Sequence, residues 1–240
     1  MKTISIIAII FVLAVSSASA QSTFGGNGNS GFGGPIGQGS LTLNDNGTTL
    51  TGTVNKGPNG FNDVLVIYID SVTGGFSSTG GFTDAGDGLR RAISGFDGGA
   101  NRSTLNFISG FNADYAIALG PQSDNFGGLF TLSSGGSFGY DGSVALTPTG
   151  TSGSSTYSFS LSLASIGITA GQSFNLFGTY ISNTGYRADE AVAGNAAGAQ
   201  GYNTFTQTSF ATYTTVPEPS TFALAGMSLL ITSVLVRRRR

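Results

Sequence analysis

The chemistry open to this sequence rests on carboxylates and aromatic rings. Acidic side chains collect at Asp63, Asp70, Asp84, Asp87, Asp97 and Asp114, and Glu190 is the one glutamate between residues 21 and 217. Oxygen-rich loops can hold Ca²⁺, which takes about six to eight oxygen ligands, and Asp84-Ala85-Gly86-Asp87-Gly88 has the composition of such a loop. It lacks the alternating acids and distal glutamate of an EF-hand loop, so carboxylates serving tight turns are the competing reading. Two carboxylates could also hydrolyse a glycoside, but that needs an acid and a base at a defined separation, which nothing in the spacing supplies. No catalytic residue is assigned and no cofactor is expected, with calcium the open alternative. Tyr68, Phe76, Phe82, Tyr140, Tyr186 and Tyr202 fall in or near expected loops and strand ends, where a ring could stack on a sugar. Most other rings are expected in the core.

What is missing narrows the chemistry further. The chain has no His, Cys or Trp. Without His there is no Ser-His-Asp or Cys-His nucleophile and no usual transition-metal site. Without Cys there is no disulfide, thiolate catalysis or Cys-ligated zinc. Setting aside Lys2 and the four terminal arginines leaves five basic against twelve acidic residues, a balance of −7. An acidic body has no electrostatic footprint for nucleic acid.

The elements that position these residues read as strands. The 240 residues include 39 glycines and 18 phenylalanines, enough apolar material for a core and enough glycine for many turns. Strand signals cover 41–43, 48–54, 64–70, 104–108, 113–119, 128–132, 143–147, 157–163, 173–182 and 204–214. Tyr157, Phe159, Leu161 and Leu163 alternate with serines, as in a half-buried antiparallel strand. Residues 64–69 (VLVIYI) are apolar on both faces and predict a central strand. Helical signals are confined to 87–93 and a turn near 163–168. The expected fold is all-β, an antiparallel β-sandwich or jelly roll over 41–214, preceded by a flexible Gly/Asn/Ser lead-in at 21–40 that can contribute an edge strand. No fixed-period repeat is present.

The two ends read as targeting segments. Met1-Lys2-Thr3, an apolar run over 4–15 and small residues at Ala18 and Ala20 make a secretory signal over 1–20, cleaved before Gln21. At the other end, Val216-Pro217-Glu218-Pro219-Ser220 precedes an apolar run over 222–236 and then Arg237, Arg238, Arg239 and Arg240. The prolines block helix and sheet, which predicts an extended hinge. The 15 residues of this run, as a helix, reach about 22 Å, and snorkelling arginines and a thinned bilayer extend the span. The arginines fix that end in the cytoplasm and put the body outside, in agreement with the secretory signal.

This order of Pro-Glu-Pro, apolar helix and basic end over 216–240 resembles the PEP-CTERM sorting signal. The resemblance implies processing near Pro217-Glu218-Pro219 by an exosortase-type membrane protease. It also implies membrane anchoring before processing, then a cell-surface or extracellular location in an organism that makes exopolysaccharide. Within 60–190, Asn62-Asp63 ahead of a strand ending at Asp70, a Phe-x-Ala-Asp-Tyr run from Phe111, and Phe-Gly-Thr-Tyr-Ile-Ser-Asn from Phe177 resemble secreted β-sandwich modules of the carbohydrate-binding type. The expectation is an exported, non-enzymatic surface or matrix protein; the alternative is a sugar- or calcium-binding module associated with polysaccharide.

Overall fold

A computed structural model describes residues 19–217, and these form an all-β body. In chain order its strands are β1 (Ala20–Gly25), β2 (Ser40–Asp45), β3 (Thr49–Asn55), β4 (Val64–Asp70), β5 (Thr104–Asn106), β6 (Tyr115–Gly120), β7 (Phe126–Thr131), β8 (Gly139–Ser143), β9 (Thr156–Ser162), β10 (Ser173–Ile181), β11 (Arg187–Val192), β12 (Gly194–Ala197) and β13 (Thr204–Thr214). One α-helix, α1 (Gly88–Ser94), lies between β4 and β5. The expected secretory segment 1–20, up to Ala18, and the expected membrane span 222–236 lie outside the described residues. Among the described residues, no helix is long and apolar enough to cross a membrane.

Two sheets share one core. The smaller runs β1-β2-β3-β9 and the larger β12-β13-β10-β4-β6-β7-β8, with β11 beside β10 and β5 joined in parallel to β13. Alternation decides what each face buries. Leu41, Leu43, Leu50, Val54, Tyr157, Phe159 and Leu161 of the small sheet meet Leu65, Ile67, Ile69, Ile117, Leu119 and Leu176 of the large one. The opposite face of β4, with Val64, Val66 and Tyr68, joins a second cluster beneath α1 and the 76–113 region. That double burial is why β4 is apolar at successive positions, and β10 and β6 flank it as a central strand requires. The outward face of the small sheet is charge-free and rich in hydroxyls, with Thr23 bonded to Thr42 at 2.9 Å.

The helical signal at 87–93 is α1, started by Asp87, whose side chain accepts the Arg90 N–H, and stopped by Gly95 in the left-handed region. Strands β4 and β13 have the bounds their patterns predict. The strand expected at 143–147 instead sits earlier, as β8. Two strands have no sequence signal: β11 (RADEAV) carries three charged side chains, and β12 is short and small. Partner strands impose these two, overriding weak local preference. β1 is the edge strand that the lead-in could contribute.

The lead-in at 21–40 is built rather than loose. After β1, residues 26–39 fold around Glu190, which is 1% exposed. Its Oε1 accepts the N–H groups of Phe32 and Gly34 at 2.7 and 3.0 Å, and its Oε2 those of Ile36 and Gly37, both at 3.0 Å. Glycine is needed at Gly37 because a Cβ there would strike the Asn29 carbonyl. Asp189 continues the arrangement by accepting from Gly31 N–H at 3.0 Å.

Candidate functional site

The exposed aromatic rings of the body converge at one cleft. β7 and β8 pair with a register shift, and exposed Phe126 and Tyr140 share a face with Phe130, whose ring is buried and forms the floor. Phe126 is 36% and Tyr140 51% exposed, large values for residues of this size. Tyr140 lies 5.7 Å from Phe130 and 6.3 Å from Phe126, ring centre to ring centre. Asp87, Leu89 and Arg90 of the α1 start, together with Asp124, complete a cleft of about 330 Å³.

Its polar rim is held in place. Arg90 lies 5.1 Å from the centre of the Phe130 ring, pairs with Asp84 at 3.1 Å, and also pairs with Asp87. Arg91 is tied to the backbone, its Nε donating to the Asn183 carbonyl at 2.8 Å. Asp124 receives the Ser123 hydroxyl at 2.7 Å. Burial raises the Asp124 carboxyl above its ordinary range and the Asp87 charge adds to this, against the Ser123 hydrogen bond and Arg91. Gly88 makes the approach of Asp124 to α1 feasible, because a Cβ there would collide with its carboxylate. The result is a concave patch of stacking rings with hydrogen-bond acceptors and one guanidinium at its edge.

The other aromatics read as stacking candidates have different fates. Tyr68 and Phe82 are fully buried, and Tyr68 donates to the Ile93 carbonyl at 2.6 Å. Phe76 is half-buried against Phe82. Tyr186 and Tyr202 pair edge to face at 5.3 Å, beside Phe32.

Apart from Asp84 and Asp87, which share Arg90, the candidate carboxylates do not converge. Asp84 takes the Gly86 and Phe138 N–H groups, Asp87 caps α1, and Asp97 accepts from Gly99 and Asn101. Asp114 accepts the N–H groups of Ser71 and Val72, and Asp70 receives the Asn175 amide. Asp63 is raised by burial and then by the Glu190 charge. Among the described residues no three carboxylates are grouped as metal ligands would be.

The targeting residues meet at one buried aspartate. Asp45 is 2% exposed, accepts the Tyr213 hydroxyl at 2.7 Å and the Val216 N–H at 3.1 Å, and closes its own turn by accepting from Gly47. The same Tyr213 hydroxyl lies 2.8 Å from the Ala20 carbonyl. Ala20 and Gln21 pair with Asp45 and Asn44 in β1–β2. Val216 is buried, its carbonyl accepts from Gly171, and the next residue, Pro217, is exposed. Ala18, Glu218, Pro219, Ser220 and Arg237 to Arg240 lie outside the described residues.

Sequence reasoning did not single out Phe126, Phe130 or Asp124. The available signal was an Asp-Asn turn directly ahead of a strand with phenylalanines four residues apart on one face, one of them exposed. Nothing local marks Arg90 as a cleft residue, since its ring partner lies 40 positions away in the chain.

No curated protein and no solved structure matches this chain. Residues 215–240 match the family described as the PEP-CTERM protein-sorting motif. The match begins within the segment that Asp45 holds. The chain therefore carries a PEP-CTERM sorting signal, which indicates an exported protein directed to an exosortase, a membrane enzyme.

Proposed function

We propose that this exported protein is a non-enzymatic component of the cell surface or extracellular matrix, and that its body is a sandwich-type module that holds polysaccharide in the Phe126–Phe130–Tyr140 cleft. The carrying observation is the pair of exposed rings, Phe126 and Tyr140, set in a concavity beside Asp87, Asp124 and Arg90. Pyranose rings offer an apolar face to such aromatics and hydroxyl donors to such carboxylates. The acidic balance of the body, five basic against eleven acidic residues over 21–217, favours a neutral glycan over a polyanionic one. A non-catalytic role is supported by the lack of His and Cys and by carboxylates committed to turns and caps. The role as proposed uses no cofactor.

The test is calorimetric titration of the purified body with exopolysaccharide from the producing cells and with neutral oligosaccharides. Saturable binding is expected, weakened about tenfold, or roughly 1.4 kcal/mol, by Tyr140→Ala or Phe126→Ala. A wild-type protein that binds none of these glycans, or variants that bind as well as wild type, would reject the cleft. Turnover of a glycan that disappears on changing one aspartate to asparagine would reject the non-enzymatic reading.

A further inference from the structure

The strand registers give the body two distinct ends. Ala20 pairs with Asp45, Asp45 with Leu50, and Leu50 with Leu161. In the large sheet Ser173 pairs with Thr214, Asn175 with Asp70, Ile69 with Tyr115, and Tyr115 with Thr131. Hydrogen bonds from Ser71 to Ile166 and from Val216 to Asp45 join these strand ends across the two sheets, and those from Leu163 to Thr48 and from Thr215 to Gln172 join neighbouring ends within each sheet. One end of the body is thus built from loops 46–48, 71–75, 132–138, 163–172 and the exit at 215–217. Ser40, Asn55, Leu119 and Gly120 lie at the other, where Gly120 pairs with Phe126; the aromatic cleft runs from Phe126 along β7 and β8 to Phe130 and Tyr140. The seven residues of β4 set the two ends about 20 Å apart.

The loops at the two ends differ in charge content. Loops 46–48, 71–75, 132–138, 163–172 and 215–217 contain no Asp, Glu, Lys or Arg. Of the carboxylates beside them, Asp45 is buried onto Tyr213 and Val216, Asp114 onto Ser71 and Val72 and Asp84 onto Phe138; Asp70 is half-buried on Asn175, and Asp141, on the β7–β8 side, is exposed and bonded to Thr131. What remains outward in the loops is Asn, Thr, Ser, Gly and Gln, with Val72 40% exposed. The other end carries Lys56, Asp63, Asp87 and Asp124.

The sorting segment leaves from the uncharged end, and covalent geometry limits how far it can reach. Val216 is fixed, and the apolar run begins at residue 222. Six residues fully extended span about 20 Å. A body of this length has a radius of gyration of about 16 Å. A tail seated in a bilayer therefore holds the body within about one radius of the headgroups. Charges turned toward a membrane would cost desolvation or meet anionic lipid; an uncharged end avoids both.

We propose that the end formed by loops 46–48, 71–75 and 163–172 is a membrane-apposed surface, which rests on lipid headgroups while the tail is anchored and leaves the Gly120–Phe126 end of the body outward. This rests on the sorting-signal reading, in which the tail enters the membrane before processing.

The cysteine-free sequence permits a clean test. Single cysteines are placed at exposed positions, Thr48→Cys and Thr169→Cys at the tail end and Gln122→Cys and Gln38→Cys at the other. The full chain is reconstituted in phosphatidylethanolamine–phosphatidylglycerol vesicles without exosortase, and labelling by a bulky polyethylene-glycol maleimide is timed before and after detergent. Thr48→Cys and Thr169→Cys should label several-fold more slowly in vesicles and recover in detergent, while Gln122→Cys and Gln38→Cys label alike in both. Equal labelling at the two ends of a chain that floats with vesicles overturns the orientation alone. A chain that does not float overturns the anchoring and the orientation together. Protection seen in native membranes but not in vesicles assigns the surface to a protein and overturns the lipid assignment. Comparing two cysteines per end separates a position effect from a misfolded variant.

Discussion

The two ends of this body solve the same problem, the burial of a carboxylate, in opposite styles. At the end away from the tail a long loop is organised from its centre, with residues 32–37 wrapped around Glu190 through four backbone N–H groups. At the tail end the loops are uncharged, and single carboxylates pin the chain from below: Asp45 holds Val216, and Asp114 holds the 71–72 turn. The difference lies in how many carboxylate oxygens each site uses. Glu190 uses both, each with two N–H donors. Asp45 uses both, against mixed donors. Asp114 takes its two N–H groups on one oxygen, Oδ2. An amide has one acceptor oxygen and one donor nitrogen, so replacing each acid by its amide measures that count.

Glu190→Gln is the severest of the three. Whichever way the amide turns, its NH₂ faces two backbone N–H groups that cannot accept from it. Two buried donors are stranded and a charge-assisted cradle is lost, for an expected loss of about 3–5 kcal/mol. Urea unfolding of the body checks this; a loss near zero would mean the 26–39 loop is held by its own backbone bonds, and the contrast between the ends would fall.

Asp45→Asn is expected to cost less, about 1–2 kcal/mol, because the Tyr213 hydroxyl can turn to accept from the new amide. Burial, and next the hydrogen bond to Asp45, raise the Tyr213 hydroxyl above its ordinary range, so it remains a neutral phenol that can act either way. Its more specific consequence is local. Loosening Val216 should speed proteolysis at 214–217 more than it lowers the unfolding midpoint, and limited digestion followed by mass measurement reads the two separately.

These sites also show what the sequence makes legible. Apolar pattern exposed β4 and β9: β4 is buried on both faces and so apolar throughout, while β9 buries one face against the opposite sheet and so alternates. The helix at 88–94 was visible through its Asp cap and Gly stop. Glu190 was visible only as a lone glutamate, and residues 26–39 as Gly and Asn. Nothing local says that four N–H groups more than 150 residues earlier in the chain will close on one carboxylate. The cleft was half legible. Tyr140 stood out as an aromatic near a strand end, while Phe126, Asp124 and Arg90 reach it through the β7–β8 register and the placement of α1 on the sheet. The sorting segment was the reverse case: its signal is linear, so spacing alone carried it, and the family match covers the same residues.

Asp114→Asn should have the smallest effect, and its pH dependence makes it informative. With both N–H groups of Ser71 and Val72 on one oxygen, an asparagine can present its own oxygen there and keep both bonds. Burial raises the Asp114 carboxyl above its ordinary 3.8, and the Asp70 charge adds to this, against the hydrogen bonds from Val72 and Ser71. A raised value in the fold means the proton is held more tightly there than in the unfolded chain. The stability it contributes is complete below 3.8 and is lost as pH rises through the folded value. Asparagine carries no such loss. The variant should therefore match wild type within about 0.5 kcal/mol in acid and equal or exceed it near neutrality, in urea midpoints taken across that range. A variant that falls steadily behind wild type as pH rises would show that the charge itself holds the 71–72 turn, and Asp114 would then belong with Glu190 rather than opposite it.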